Sequence, residues 1–374
     1  MPRFPLFLVV TALAGLSCRR GPAPPQLFVS VAPEASGVTF ANTLPEDSAV
    51  NIVNYLYYYN GGGVAAGDID GDGLVDLYFT SNLGRNRLYR NLGHFRFEDI
   101  TERAGVADSV GWKSGVTMAD VNGDGRLDIY VSGVNYLGMA GRNVLYINNG
   151  DGTFTDRTAE YGLDFAGYST QAAFFDYDGD GDLDMYLLNS STFADLAASR
   201  NASRTAPNAK AGDRLYRNDH GHFVDVSRAA GIYSGVEGFG LGVVVSDVNL
   251  DGCPDIYVAN DFPENDFLYL NNCDGTFTES IAQATGHTSR SSMGVDAADF
   301  NNDGRPDIAV LDMLPDSERV LKTAQAALSY TLFQHYLEMG YHYQYARNTL
   351  QLNRGAVGGK LRFSDIGLLA GIAA

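Results

Sequence analysis

One tryptophan, three cysteines and six histidines in 374 residues leave little for several common chemistries. His94, His220, His222, His287, His335 and His342 are scattered, and the one close pair, His220-Gly221-His222, falls in a turn. No H-E-x-x-H helix, nucleophile elbow or Ser-His-Asp order is present, so zincin and serine-hydrolase readings have nothing to rest on. Basic residues are sparse as well: 26 Lys and Arg stand against 45 Asp and Glu, a net charge of −19. Without a basic stripe to neutralise phosphates, nucleic acid is excluded as a partner. The N-terminal apolar run, Phe4 to Leu16, is too short to span a bilayer.

Aspartate and glycine are what the chain has in quantity, and its 43 glycines mark many turns. Asp176 to Asp184 reads D-Y-D-G-D-G-D-L-D, with carboxylates at positions 1, 3, 5 and 9 around Gly181 at position 6. Calcium, a hard cation, takes six to eight oxygens at roughly 2.3–2.6 Å. Alternate carboxylates on a coiled loop meet that demand: Gly181 allows the sharp turn, the Asp182 carbonyl adds a ligand and Asp184 closes the shell. An EF-hand would need Glu at position 12, which here is Leu187 inside an apolar run, so a loop between two strands is expected instead.

A single such loop is as well read as an acidic surface turn, but the frame recurs. Its ligand positions are Asp68, Asp70, Asp72 and Asp76; Asp120, Asn122, Asp124 and Asp128; Asp176, Asp178, Asp180 and Asp184; Asp247, Asn249, Asp251 and Asp255; and Asp299, Asn301, Asp303 and Asp307. About five structural Ca2+ ions are therefore expected, and they would cancel ten of the nineteen negative charges. The acidity is mainly a metal requirement.

The chain is expected to divide into an export signal at 1–18, a Pro-rich tether at 19–27 and one repeat domain at 28–374. Arg3, the apolar run and small residues before Cys18 describe a signal segment. Ser17-Cys18 resembles the end of a bacterial lipoprotein signal, with Cys18 lipidated, although Gly15 stands where an aliphatic residue is usual. A plain secretory signal is the alternative. The loops recur at steps of 52, 56, 71 and 52 residues, and a period near 50 in a strand-rich chain predicts propeller blades of four strands. The second unit shows them as Val116–Ala119, Ile129–Val131, Val144–Ile147 and Thr153–Thr155, the last pair joined by Asn149-Gly150-Asp151-Gly152.

The third strand and its turn recur as Leu88-Tyr89-Arg90-Asn91, Leu215-Tyr216-Arg217-Asn218, Leu268-Tyr269-Leu270-Asn271 and Leu350-Gln351-Leu352-Asn353. Glycine and then phenylalanine follow, as in Phe95, Phe223, Phe277 and Phe363, which we read as packing between blades. If Tyr257 faces Tyr269 across the strands, Cys253 and Cys273 fall opposite each other. A disulfide is expected there in an exported chain.

Loops of the form D-x-[DN]-x-D-G-x-x-D followed by [LI]-Y, alternating with L-Y-x-N and G-x-F, resemble the FG-GAP or VCBS repeats of integrin-α-type β-propellers. Tyr59-Asn60-Gly61-Gly62-Gly63-Val64, Asn265-Asp266-Phe267-Leu268-Tyr269 and Arg347-Asn348-Thr349-Leu350-Gln351-Leu352-Asn353 further resemble bacterial proteins with an ASPIC/UnbV domain, related to the cartilage acidic protein family. The resemblance implies an all-β propeller, usually seven-bladed, with calcium in each loop between the first (A) and second (B) strands, and a secreted or surface role in adhesion or binding. Six outer-strand elements, at Phe28, Phe97, Phe154, Phe223, Phe277 and Phe363, accompany five complete sets of inner strands. The Phe28 element is expected to complete a last blade, and the chain to be an N-terminal fragment.

Two long insertions, Ser190 to Asp213 and Leu314 to Arg347, separate second and third strands, on the face opposite the acidic loops. Val320, Leu321, Ala324, Leu328, Leu332 and Tyr336 predict a helix whose apolar stripe docks on the propeller. The leading reading is a calcium-stabilised, exported, non-catalytic module that binds a protein or glycan on the insertion face, with membrane contact only through a lipid on Cys18. The alternatives are a polysaccharide-active enzyme on the same scaffold and a structural subunit of a surface complex.

Overall fold

The computed structural model describes residues 28–45, 48–198, 204, 206–313, 315, 317–323 and 329–372. The signal, the tether, Cys18, Ala324 and Leu328 lie outside them. Five four-stranded antiparallel sheets follow one another, each with its strands in chain order. Blade I comprises Val64–Gly67, Asp76–Phe79, Arg87–Asn91 and Phe97–Asp99. Blade II comprises Trp112–Ala119, Asp128–Val134, Val144–Asn148 and Phe154–Asp156. Blade III comprises Ser169–Phe175, Asp184–Asn189, Arg214–Asn218 and Phe223–Asp225. Blade IV comprises Gly240–Ser246, Asp255–Asn260, Phe267–Asn271 and Phe277–Glu279. Blade V comprises Ser292–Ala298, Asp307–Asp312, Thr349–Val357 and Lys360–Asp365.

Strands A to D of every blade form because short apolar runs alternate with turn residues, and face-to-face stacking then buries both sides. The B strands of blades III and IV, D-M-Y-L-L-N and D-I-Y-V-A-N, are buried at every residue. Full burial of each large side chain contributes about 1.5–3 kcal/mol, so these interior strands anchor the stack. Successive A strands lie side by side, and hydroxyls bridge the blades: Thr80 Oγ1, just after strand B of blade I, donates to the Ser114 carbonyl (2.9 Å), and from the A strands Thr117 Oγ1 donates to Ala172 (2.7 Å) and Thr170 Oγ1 to Gly240 (2.9 Å). Glycine is required at this seam, because a Cβ on Gly115 would stand 2.3 Å from the Thr170 carbonyl oxygen.

A short helical turn closes blades I, IV and V after the D strand, at Thr101–Ala104, Ile281–Ala284 and Gly367–Ala370, and Ser227–Ala230 does so in blade III. Pro33–Ser36 is a further copy, capped by Gly37 at φ 82°. A Cβ on Gly37 would meet the Phe97 carbonyl oxygen at 2.4 Å, much as one on Gly231 would meet Phe277 at 3.0 Å. The Phe28 segment thus ends in the unit that follows an outer strand, although Phe28 itself forms no strand and is 87% exposed.

Three expectations need correction. Ile256 pairs with Tyr269 and Tyr257 with Leu268, one residue away from the register expected, because register follows the hydrogen-bonding pattern of strands B and C rather than matched tyrosines. Phe95 is an exposed turn residue at φ 57°, and Phe97 holds the strand position opposite Asn91. In place of one helix, two are described in the second insertion, Glu318–Thr323 and Tyr330–Glu338, with Val320 and Leu332 exposed. The second helix packs on the return segment of its own insertion, through Phe333 beside Tyr343 and Tyr345 and through Tyr336 against Tyr341.

Candidate functional site

All five acidic loops lie between strands A and B and share one set of hydrogen bonds. The position-1 carboxylate accepts the position-6 glycine N–H in each: Asp68 from Gly73 (2.8 Å), Asp120 from Gly125 (2.8 Å), Asp176 from Gly181 (3.0 Å), Asp247 from Gly252 (2.9 Å) and Asp299 from Gly304 (2.8 Å). Gly181 sits at φ 96°, which a side chain would resist. Position 5 accepts the position-7 N–H, as in Asp180 from Asp182 (2.9 Å). The loops are therefore coiled with their oxygens turned inward.

Position 9 is different, being buried at the root of strand B. Each of its oxygens accepts one backbone N–H: in blade III, Asp184 Oδ2 takes Tyr177 (3.0 Å) and Oδ1 takes Asn218 (2.8 Å). Asp76, Asp128, Asp255 and Asp307 repeat the arrangement with Ile69 and Asn91, Val121 and Asn148, Val248 and Asn271, and Phe300 and Asn353. A carboxylate oxygen has lone pairs to spare beyond one such bond. Burial pushes Asp184 and Asp255 up to about 7 and Asp128 up to about 6, against the pull of those N–H groups, and it raises Asp76 as well. A cation in the loop would oppose that shift.

The donors suit calcium. Oxygens of Asp68, Asp70 and Asp76 lie within 4.8 Å of one another, as do those of Asp176, Asp178 and Asp184. Two oxygens on one Ca2+ stand at most about 5 Å apart, and every donor is hard. In blades II, IV and V the position-3 amides of Asn122, Asn249 and Asn301 supply neutral oxygens. Neighbouring cations already answer the loop charge: Arg90 Nε reaches Asp70 (2.6 Å), and Arg126 and Arg305 reach Asp124 (2.5 Å) and Asp303 (2.9 Å).

Position 7 reaches across to the turn between strands C and D. Arg126 and Arg305 donate to the Asn148 and Asn353 carbonyls (3.4 and 3.2 Å), and Asp182 meets His220 (3.0 Å). In blade IV this contact is covalent: Cys253, at position 7, is joined to Cys273 with Cα atoms 5.8 Å apart. Both cysteines stand in turns, Cys273 at φ 57°, so the bond does not depend on strand register.

On the opposite face the two insertions meet over the B–C loop of blade IV. Arg204, from the first, bonds buried Glu264 and lies over the Tyr341 ring at 4.3 Å, while the Tyr341 hydroxyl donates to Glu237. The carboxylates here are tied to donors of the fold: Asp266 to Tyr257 and Ser292, and Asp312 to Ser289 and two backbone N–H groups. Tyr55, Tyr57 and Tyr58 pack with Trp112, Tyr168 and Phe239, next to a cavity of about 280 Å³ at the head of the A strands. Phe193, Tyr343 and Tyr345 are exposed aromatics of the insertions.

Repeated four-stranded blades with acidic A–B loops define a propeller-type repeat protein. FG-GAP-like repeats match at residues 68–131, 134–187 and 247–310. The chain is 28% identical to human cartilage acidic protein 1 over 244 residues, covering 64% of this chain and 34% of that protein. The mouse protein is 29% identical over 288 residues, covering 71% and 42%. The chain thus carries FG-GAP-like repeats and is similar to cartilage acidic protein 1, and it spans well under half the length of these relatives. Solved structures overlay loosely: the Vibrio cholerae biofilm matrix protein Bap1 at TM-score 0.34 and 16% identity, covering 66% of this chain and 34% of that one, and a putative exo-beta-1,3-galactanase from Bifidobacterium bifidum s17 at TM-score 0.34 and 10% identity, covering 67% and 80%.

Proposed function

We propose that this chain is an exported, calcium-stabilised binding module without catalytic activity, which engages a protein or glycan on its insertion face. The observation that carries the reading is the fivefold recurrence of one oxygen-lined loop geometry, with inward carboxylates that repel one another until a divalent cation joins them. Asp68, Asp70, Asp72 and Asp76 would hold the ion in blade I, and the matching residues hold those of blades II to V. Such an ion supplies cohesion rather than Lewis acidity, since the loops cross-link strand roots and face away from the insertions. Aromatics and amides on the insertion face, with its carboxylates engaged inside the fold, favour recognition over glycoside cleavage, which needs two free carboxyl groups about 5–9.5 Å apart. An anchor at Cys18 would place the module at a cell surface.

Metal analysis of the full chain after dialysis against micromolar calcium tests the core of this reading. About five ions per chain are expected, and a chain that retains none sinks it. Glycan and protein arrays probed with and without calcium then test the ligand, with calcium-dependent binding expected.

A further inference from the structure

The five loops are wired to one another. In blade II the Asn148 amide donates to the Leu127 carbonyl of its own loop (3.1 Å) and to the carbonyl of Ile69, position 2 of the loop in blade I (2.9 Å). The same inter-blade bond runs from Asn218 to Val121 (3.2 Å), from Asn271 to Tyr177 (2.8 Å) and from Asn353 to Val248 (2.7 Å). Each position-2 residue sends its N–H to the position-9 carboxylate of its own loop, and the other oxygen of that carboxylate takes the backbone N–H of the asparagine. One hydrogen-bonded path therefore passes from Asp76 through every loop to Asp307. It is buried along its length, with Asn148, Asn218, Asn271 and Asn353 no more than 2% exposed. Hydrophobic packing runs beside it: Ile69 shares a core with Phe154, Val121 with Phe223, and Val248 with Phe363, while Tyr177 stacks on Phe277.

We propose that Asn148, Asn218, Asn271 and Asn353 couple the calcium occupancies of neighbouring loops, so that filling one loop raises the affinity of the next. The inference rests on the calcium reading above and adds a property that reading does not require. An ion that fixes a position-9 carboxylate also fixes the position-2 residue whose N–H that carboxylate accepts. The carbonyl of the same residue, on its next peptide unit, is the one that accepts from the next asparagine. The next loop then has less ordering left to do when its own ion arrives, which is positive cooperativity through shared order. Asn91 serves as an internal control, because its described bonds, to Asp76, Val75 and Gly93, all stay within blade I.

Calorimetric calcium titration of the chelator-treated full chain tests the coupling. The native chain should bind with a Hill coefficient above 1, Asn218→Ala and Asn271→Ala should bring it toward 1, and Asn91→Ala should keep the native curve. A second arm does not depend on those substitutions folding: Asp178→Asn with Asp180→Asn removes the ion of blade III and should weaken the remaining sites by about five-fold. Four remaining sites of native affinity, or a native chain that binds five ions independently, would overturn the coupling while leaving the calcium reading intact. A native chain that binds no calcium overturns both.

Discussion

At the entrance to strand C, blades I, II and V carry Asn86, Asn143 and Asn348, whereas blades III and IV carry Asp213 and Asp266. All five oxygens do the same job, accepting an N–H from the end of strand B: Ser81 (3.0 Å), Gly133 (2.9 Å), Asp312 (2.7 Å), Asn189 (2.8 Å) and Asn260 (2.8 Å) in that order. In blades I, III and IV the second atom meets a buried tyrosine, whereas Asn143 donates to Ser169 Oγ (3.1 Å) and Asn348 to the Ile372 carbonyl (2.6 Å). Asn86 donates to Tyr78, while Tyr186 and Tyr257 donate to the two aspartates. Burial pushes Asp213 and Asp266 up to about 7, although the backbone N–H and tyrosine bonds pull the other way. With the folded value raised above the unfolded 3.8, the folded chain holds the extra proton, so the contribution of these two groups to stability is greatest below about 3.8 and falls as pH rises to about 7. Asp213→Asn keeps both bonds by copying blade I and removes the buried charge. Urea unfolding in calcium should show the variant more stable at pH 8, by on the order of 2–4 kcal/mol, with no gain at pH 4. A gain that is the same at both values would mean that Asp213 does not titrate in this window.

Blade elements were largely legible from the chain, for a physical reason: a four-strand unit needs a fixed set of turns, and D-x-[DN]-x-D-G and N-G-D-G write those turns in local sequence. What stayed illegible is relational. Asn91, Asn148, Asn218, Asn271 and Asn353 are visible as a recurring L-Y-x-N or L-Q-L-N, but nothing local says that four of them bond the blade before their own. The insertion helices misled because spacing marks an apolar stripe without saying what covers it, and Phe333 rather than Leu332 makes the contact. The Cys253–Cys273 bond shows a local element resting on a repeated contact, since position 7 approaches the C–D turn in other blades without a covalent link. It closes a segment of 20 residues, a loop size for which a disulfide contributes about 3 kcal/mol. Cys253→Ser with Cys273→Ser should therefore lower the melting temperature by several degrees, as scanning calorimetry in calcium would show. An unchanged melt would mean that the loop and its ion hold this corner without the bond.

For the molecule as a whole, the opposing quantities are a net charge of −19 and the oxygen-lined loops that concentrate much of it along one face. Metal-free, the loops hold like charges close together at five strand roots, a stress spread over all blades because the asparagine path joins them. On the calcium reading proposed above, the ion would relieve it by mass action: at a hundredfold excess over the dissociation constant, each independent site would add about 2.7 kcal/mol, so even partial filling would be large beside a typical folding free energy of about 5–15 kcal/mol. Ordinary salt can substitute only weakly, because 1 M NaCl shortens the screening length to about 3 Å and softens repulsion without bridging the carboxylates. Two linked outcomes follow from thermal unfolding of the full chain. EGTA should lower the melting temperature by well over ten degrees, and in EGTA added NaCl should recover part of that loss, whereas in calcium the same salt should change the melt little. A melting temperature indifferent to EGTA would remove calcium from the account of stability. A salt effect equal in both conditions would show that the repulsion lies elsewhere on the surface than in the five loops.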